Sequence, residues 1–317
     1  MNLKDMGNVD ISVVVPVKNG QKYLDSLLKA VFSQEIEAKF EVIIIDSGST
    51  DSTLDIIKRY PVSLYEIKEK EFNHGLTRNL AISKAQGKYI VLMTHDAVPY
   101  DNQWMRRLVD DLASDERLAG VYSRHIPHND SCALTKMIVK NFFTSETEKR
   151  ESRITGRQDY NRLTPQEKHR FCSFDNVSAC IRKSIWQEIA FSETDFAEDL
   201  EWSKKVLEAG YGIVYEPDSV VYHSHDFSIS AWYNRNRVNS KKLYRLFGIN
   251  NVNNFFKLAL FSIFRIGRDF YLLLRAKKQF KPVLSDICLA PFFSVSGILG
   301  QYKGVKEYKH ENTASRP

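Results

Sequence analysis

Two adjacent acids, Glu198 and Asp199, open the helix-like run Ala197-Glu198-Asp199-Leu200-Glu201-Trp202-Ser203. Far upstream, Asp96 closes the apolar run Tyr89-Ile90-Val91-Leu92-Met93-Thr94-His95-Asp96, and Asp46 closes Val42-Ile43-Ile44-Ile45-Asp46. Hydrophobic strands that finish in carboxylates place a site along one edge of a sheet, where open α/β sheets bind their ligands. One such acid can hold a cation on a phosphorylated donor. Another can take a proton from an acceptor hydroxyl.

The elements that must carry these acids alternate. Residues 11–15 are a short β-branched run that reads as a buried strand, and Leu24, Leu27, Leu28 and Val31 follow at amphipathic-helix spacing. A strand is expected over 42–45, then a helix through Leu54 and Ile57 capped by Ser49 or Asp51. Strand 62–67, helix 73–85 ended by Gly87, strand 89–93 and helix 104–112 continue the rhythm. This βαβα order implies a mostly parallel sheet with helices on both faces. Residues 124–170 are polar and weakly periodic, and read as a long, partly mobile excursion whose stretch 145–166 can close over a donor. Strand character returns at 177–181, a helix is expected over 198–209 before Gly210, and short strands are expected at Val214 and over 220–222.

Of the 317 residues 43% are hydrophobic, which supports a substantial core and excludes global disorder. The net charge of +6 is unevenly spread. Residues 231–317 carry 16 Lys+Arg against 4 Asp+Glu, while the remainder carries 29 against 35. A basic tail on an acidic body fits an anionic surface, lipid or nucleic acid. Runs such as Phe255-Phe256-Lys257-Leu258-Ala259-Leu260-Phe261, with long Phe/Leu stretches between the charges, fit lipid better than a phosphate backbone, so nucleic acid ranks last. The uncharged run 287–300 contains Pro291 and is shorter than the roughly 20 residues of a spanning helix. These segments read as helices in a membrane interface, or as packing against the body or a second subunit. Cys132, Cys172, Cys180 and Cys288 form no CxxC pair, so reduced thiols are expected, and the polar residues 1–10 lack the core of a signal peptide.

Five motifs stand in order: Ser12-Val13-Val14-Val15-Pro16-Val17-Lys18-Asn19-Gly20, Ile45-Asp46-Ser47-Gly48-Ser49-Thr50-Asp51, Thr77-Arg78-Asn79, Thr94-His95-Asp96-Ala97 and Ala197-Glu198-Asp199. Over residues 10–230 the chain thereby resembles the family 2 glycosyltransferases, inverting enzymes of GT-A fold. Phe72-Asn73-His74-Gly75 and Val221-Tyr222-His223-Ser224-His225 make it similar, more narrowly, to bacterial rhamnosyltransferases.

The resemblance implies a role for each position. Pro16, Asn19, Asp46, Ser47, Gly48, Arg78, His95 and Asp96 would line the nucleotide-sugar site. Asp46 matches the acid that accepts the imide N–H of a pyrimidine base, with Ser47 where the family often has a second acid; the plain alternative is a helix-capping Asx turn. Arg78 would reach the diphosphate, or else form a surface salt bridge. Asp96 matches the last acid of a DxD-type metal motif whose first acid is here Thr94, and its alternative is a strand-end cap. Asp199 would be the general base with Glu198 in support, or both acids simply cap a helix. His223 and His225, two apart on an expected strand, would add metal or diphosphate contacts, or form a solvated or core pair. Trp186, Trp202 and Trp232 would shape a sugar pocket or belong to the core.

The expected fold is therefore α/β: a GT-A (Rossmann-like), mostly parallel sheet flanked by helices over residues 1–230, with a basic, amphipathic helical extension over 231–317. The expected activity is inverting transfer, preferably of L-rhamnose from dTDP-β-L-rhamnose, to a lipid-linked glycan or polysaccharide at the cytoplasmic face of a bacterial membrane. Mg2+ or Mn2+ is the expected cofactor, attachment is peripheral, and an oligomer is compatible. A UDP-sugar hexosyltransferase and a silent, membrane-docked assembly protein are the alternatives.

Overall fold

The computed structural model describes residues 9–194, 196–275 and 284–314. They divide into two compact units. The first takes the chain up to Ile126 together with 143–161 and 172–223, and the second takes 127–142, 162–171 and the chain from Ser224 on.

The first unit is built on a nine-stranded sheet. Strand β1 (Ile11–Val17) is the hydrophobic centre of its parallel half, flanked by β2 (Phe40–Asp46) and β4 (Tyr89–Met93), with β3 (Ser63–Glu66) outside β2. These strands read as unbroken apolar runs because helices cover both faces of a parallel sheet. Helix α1 (Leu24–Phe32) buries Leu24, Leu27, Leu28 and Val31, the spacing seen in the sequence. Helices α2 (Thr53–Ile57) and α3 (His74–Lys84) follow β2 and β3. The Asn73 side chain caps α3 by accepting from the Gly75 and Leu76 backbone N–H groups.

Beyond β4 the sheet becomes mixed. The short β5 (Val98–Pro99), helix α4 (Trp104–Ser114) and β6 (Leu118–Ile126) lead into the segment expected to be an irregular excursion. That segment carries regular secondary structure. Helix α5 (Ala133–Lys140), strand β7 (Arg150–Arg153), and helices α6 (Arg157–Arg162) and α7 (Pro165–Phe171) occupy it. Polar side chains pin β7: Arg150 donates to Tyr122 Oη at 2.7 Å and Arg153 pairs with Asp115 at 2.6 Å. Strand β8 (Ser178–Arg182) then inserts antiparallel between β4 and β6, ahead of helices α8 (Lys183–Glu188) and α9 (Glu198–Glu208). A single long strand, β9 (Gly212–Tyr222), replaces the two short ones expected. It runs parallel to β6, with a register shift between Ser123 and Arg124, and antiparallel to β5 and β7.

The second unit is helical: α5, α7, α10 (Ile229–Phe247), α11 (Phe255–Arg275) and α12 (Leu284–Ala314). Helices α10 and α12 pack backbone to backbone at Gly300 and Gly304 of α12, and Gly297 makes room for the Trp232 indole. A Cβ added at Gly304 would lie 2.0 Å from the Arg237 carbonyl oxygen. Ion pairs Arg237–Glu307 and Lys241–Glu311, both 2.7 Å, extend the same seam. The stretch Leu284–Asn312 is long and apolar enough, by length and composition, to cross a membrane, and 39% of its most apolar window is buried within the structure.

Candidate active site

Strand polarity brings the candidate residues to one edge of the sheet. The parallel strands β1, β2 and β4 end there, placing Val17, Asp46 and the 94–97 loop side by side. Because β8 runs the other way, its leading residues Asp175, Asn176 and Val177 reach the same edge, where the Val177 carbonyl accepts from the Thr94 N–H. Strands β6 and β9 are antiparallel to β8 and parallel to one another, so His125 and His223 finish at this edge too.

At the first corner, Asp46 is buried and committed to an Asx turn. Its Oδ2 accepts from the Gly48 and Ser49 N–H groups at 2.9 and 3.0 Å, and its Oδ1 from the Ser49 hydroxyl. Gly48 takes φ +86°, which a side chain would strain. The β1 loop interlocks with this turn. Pro16 and Val17 pair in register with Ile45 and Asp46, and the Ser47 N–H and hydroxyl both donate to the Val17 carbonyl. Asn19, at φ +50°, accepts from the Thr50 N–H at 2.9 Å. Asp46 thus forms an Asx turn in which Oδ2 already accepts two hydrogen bonds and Oδ1 one.

The 94–97 loop forms the middle of the site. His95 stacks against the backbone of Gly20, whose added Cβ would come within 3.1 Å of the imidazole. Asp96 is buried, and its Oδ2 lies 3.8 Å from His223 Nε2. The His223 ring sits edge-on to His125, with centroids 5.3 Å apart. Burial pulls the His125 pKa down to about 3 although Asp96 opposes this, so the ring is neutral near pH 7. His125 Nε2 and Thr94 Oγ1 are buried without a hydrogen-bond partner, the signature of polar atoms awaiting a ligand or solvent. The 3.8 Å separation of one carboxylate oxygen and one imidazole nitrogen suits a divalent cation shared at roughly 2.1 Å from each. Strand β9 ends at Tyr222, so the strand expected to carry His223 and His225 stops short of both. His225 belongs to the second unit, where its carbonyl accepts from Thr135 Oγ1 at 3.3 Å.

Helix α9 supplies the last corner. Ala197 precedes it at φ +54°; it and Asn19 are the two non-glycine positions with positive φ among the described residues, and both border this edge. Glu198 is buried and paired with Arg78 Nη1 at 2.9 Å, and it accepts from Asn176 Nδ2 at 3.1 Å. Arg78 Nη1 also donates to the His74 carbonyl, and its Nε is buried without a hydrogen-bond partner. Desolvation works hardest on Glu198, yet Arg78, His74 and Asn176 together outweigh it and hold the carboxyl below its ordinary range. Asp199 keeps some exposed surface, but protein packs round its carboxylate. Desolvation first, then the charges of Glu198 and Asp175, push it up to about 8, against backbone donation from Leu200 and Asn176. Two neighbouring carboxyls are therefore driven in opposite directions, the arrangement expected of an acid–base site.

Three residues of this edge escaped the sequence reading. Asp175 lies 4.0 Å from His125 Nδ1, Asn176 bonds both Glu198 and Asp199, and His125 abuts His223. Their only signal is position just before or at the end of a strand. Of the three tryptophans, Trp202 is fully buried in the core beside Phe174 and Phe191, Trp186 donates to Asn79, and Trp232 packs near Phe293 in the second unit.

The family described as Glycosyl transferase family 2 matches residues 12–177. The chain is 32% identical over 222 residues to the O-antigen chain rhamnosyltransferase RfbN of Salmonella typhimurium, a match covering 69% of this chain and 67% of that protein. It is 32% identical over 200 residues to WbaN of Salmonella anatum, an O-antigen chain rhamnosyltransferase, covering 62% of this chain and 60% of that protein. In structure it resembles the mannosyltransferase PcManGT from Pyrobaculum calidifontis, solved with GDP-Man and Mn2+ (TM-score 0.53, 17% identity, 97% of this chain and 76% of that one). It also resembles residues 1–349 of TarS from S. aureus, solved with UDP (TM-score 0.50, 17% identity, 95% and 92%). These two likenesses support the GT-A fold alone. On the family match and the relative that it covers by two thirds, the chain belongs to glycosyltransferase family 2.

Proposed function

We propose that this glycosyltransferase moves L-rhamnose from dTDP-β-L-rhamnose to a growing surface glycan, with inversion at the anomeric carbon. The observation that carries the reading is the join between two chemistries at one sheet edge. Asp96 and His223 stand 3.8 Å apart on one side and Asp199 on the other; Asn176 bonds Asp199, and Asp175 lies 4.0 Å from His125, whose ring abuts His223. The rhamnose assignment draws on the two Salmonella relatives, which are rhamnosyltransferases by name.

In this reading the acceptor hydroxyl attacks the anomeric carbon from the face opposite the diphosphate. The new C–O bond forms as the bond to the diphosphate oxygen breaks, the electron pair leaves with the diphosphate, and the hydroxyl proton passes to Asp199. A carboxylate whose pKa is raised to about 8 is a stronger base than an ordinary one once it is ionised. Arg78 and Asn176 hold Glu198 and so fix the first turn of α9, which aims Asp199. A divalent cation, Mg2+ or Mn2+, would neutralise charge on the leaving diphosphate. Asp96 and His223 would hold it, with His225 the third ligand expected from the sequence. Asp46, Ser47, Gly48, Asn19, Pro16 and His95 would line the nucleotide side. The acceptor would be lipid-linked and met at the cytoplasmic face of the membrane.

A donor panel with purified protein tests this. Turnover is expected with dTDP-β-L-rhamnose and a lipid-linked glycan; turnover with UDP-glucose and none with the rhamnose donor would remove the sugar assignment.

A further inference from the structure

Helix α11 is amphipathic in the reverse of the soluble sense. Phe256, Leu260, Ile263, Phe264, Tyr271 and Leu274 are all exposed, with Phe256 at 74%, Ile263 at 70% and Phe264 at 69%. They recur at helical spacing as one stripe about 27 Å long, at 1.5 Å per residue. The charged residue turned inward is Asp269, only 4% exposed. It is paired with Arg265 at 2.8 Å and Arg268 at 2.7 Å, and it accepts from Ser294 Oγ of α12 at 2.9 Å. Helix α12 repeats the pattern. Leu284, Leu289, Phe292 and Val295 face out, while Asp286 and Ser294 are buried.

A water-facing pair of helices puts these groups the other way round, and an uncovered apolar face of this extent marks a binding surface. Acids turned into a bundle with Phe and Leu outward are the arrangement expected against hydrocarbon. We propose that the α11–α12 face lies in the plane of an anionic phospholipid bilayer, its stripe sunk into the acyl boundary below the headgroups. Lys257, Arg265, Arg268 and Asp269 interrupt the helix along its other side, which favours lying in the interface over crossing it. Charge selects lipid over a second copy. Residues 231–317 hold 16 Lys+Arg against 4 Asp+Glu, so two such tails repel one another while anionic headgroups attract each. The inference deepens the membrane-side reading of the acceptor. Its test omits donor and acceptor, so its failure leaves the transfer chemistry standing.

The full chain is sedimented with extruded vesicles of phosphatidylglycerol and phosphatidylethanolamine, and with phosphatidylcholine alone. Wild type is expected on the anionic vesicles and mostly free of the neutral ones. Ile263→Glu and Phe264→Glu, at solvent-exposed positions and with thermal unfolding unchanged, are each expected to lower partitioning on the order of tenfold or more. Wild type in the supernatant, equal binding to neutral vesicles, or undiminished binding by both variants overturns the proposal. So does a wild-type dimer that Phe264→Glu dissociates without any change in vesicle binding, which assigns the face to a second copy.

Discussion

Arg78 and Glu198 meet as a buried ion pair, Nη1 to Oε1 2.9 Å, that ties helix α3 to the first turn of α9. Both side chains are almost wholly withdrawn from water. Such a pair contributes little net stability over an apolar substitute, but either half left alone is costly. Its consequence here is positional: Glu198 cannot rotate without giving up Arg78 and Asn176, so the neighbouring Asp199 is held in one orientation.

Removing one member therefore costs more than removing both. Arg78→Met should destabilise the protein by about 3 kcal/mol, and Arg78→Met with Glu198→Met should recover more than half of that loss. Urea unfolding of the two single variants and the double variant measures the coupling. Simple additivity would show that the pair is not an energetic unit.

Asp199 sets a pH dependence of definite sign. Its folded pKa, about 8, lies above its ordinary value, so between the two the folded state holds a proton that the unfolded state has lost. Stability then falls as pH rises from about 4 to about 8 and levels off beyond. Asp199→Asn, which mimics the protonated form, should match wild type near pH 4 and exceed it above pH 8 by at least about 1 kcal/mol. Glu198 has the opposite sign, because its folded pKa is lowered; the stability it contributes is present at neutral pH and lost in acid. Denaturation of Asp199→Asn across this range reads the effect directly, and a pH-independent difference from wild type would refute the assignment.

Transfer should respond to the same group. Asp199→Asn is expected to lower kcat on the order of a hundredfold or more while donor affinity changes little, since the role proposed for the carboxylate is on the acceptor. In wild type, kcat/KM should rise with pH toward 8 as the base ionises. Steady-state rates at several pH values check both, and an Asn variant with full kcat would place the base elsewhere.

Asp96 and His223 make a separable prediction about the cation. His223→Ala and Asp96→Asn should each weaken Mn2+ binding in the presence of a nucleoside diphosphate by roughly tenfold or more. Both are expected to leave stability within about 1 kcal/mol, because each sits at a strand end rather than in the core cluster. Titration calorimetry with Mn2+ and dTDP measures the first and thermal unfolding the second. Unchanged Mn2+ affinity in both variants would remove this pair as ligands.

The parallel half of the fold was legible because burial on both faces forces unbroken apolar runs, and those runs end in Asp46 and near Asp96. Helices α1 and α4 were equally clear from period. The antiparallel insertion of β8 was not. Nothing in chain order tells that a strand at 178–182 enters between β4 and β6, and it is this insertion that delivers Asp175 and Asn176 to the edge. Strand β7 was hidden for another reason: Arg150-Glu151-Ser152-Arg153 lacks alternation and is held by ion pairs and by β9. The partner of Arg78, 120 positions along the chain, is a property of packing and has no local signature. The strand expected to carry His223 and His225 stops at Tyr222, because the period-two pattern was extended past its end.

Two glycines of the helical unit predict opposite outcomes for the same substitution. Gly267 of α11 has nothing within 4 Å of an added Cβ, so Gly267→Ala gains helix propensity alone and should stabilise by about 0.5–1 kcal/mol. A Cβ added at Gly304 of α12 would lie 2.0 Å from the Arg237 carbonyl oxygen and 3.1 Å from the Lys241 N, both backbone atoms that cannot rotate away. Gly304→Ala must push α10 and α12 apart, strain Arg237–Glu307 and Lys241–Glu311, and cost on the order of 1–3 kcal/mol despite the better propensity of alanine. Thermal unfolding followed by helical circular dichroism compares the two. If both variants are stabilised, the close approach of the two helices is not a constraint, and the glycines of α12 serve some purpose other than packing.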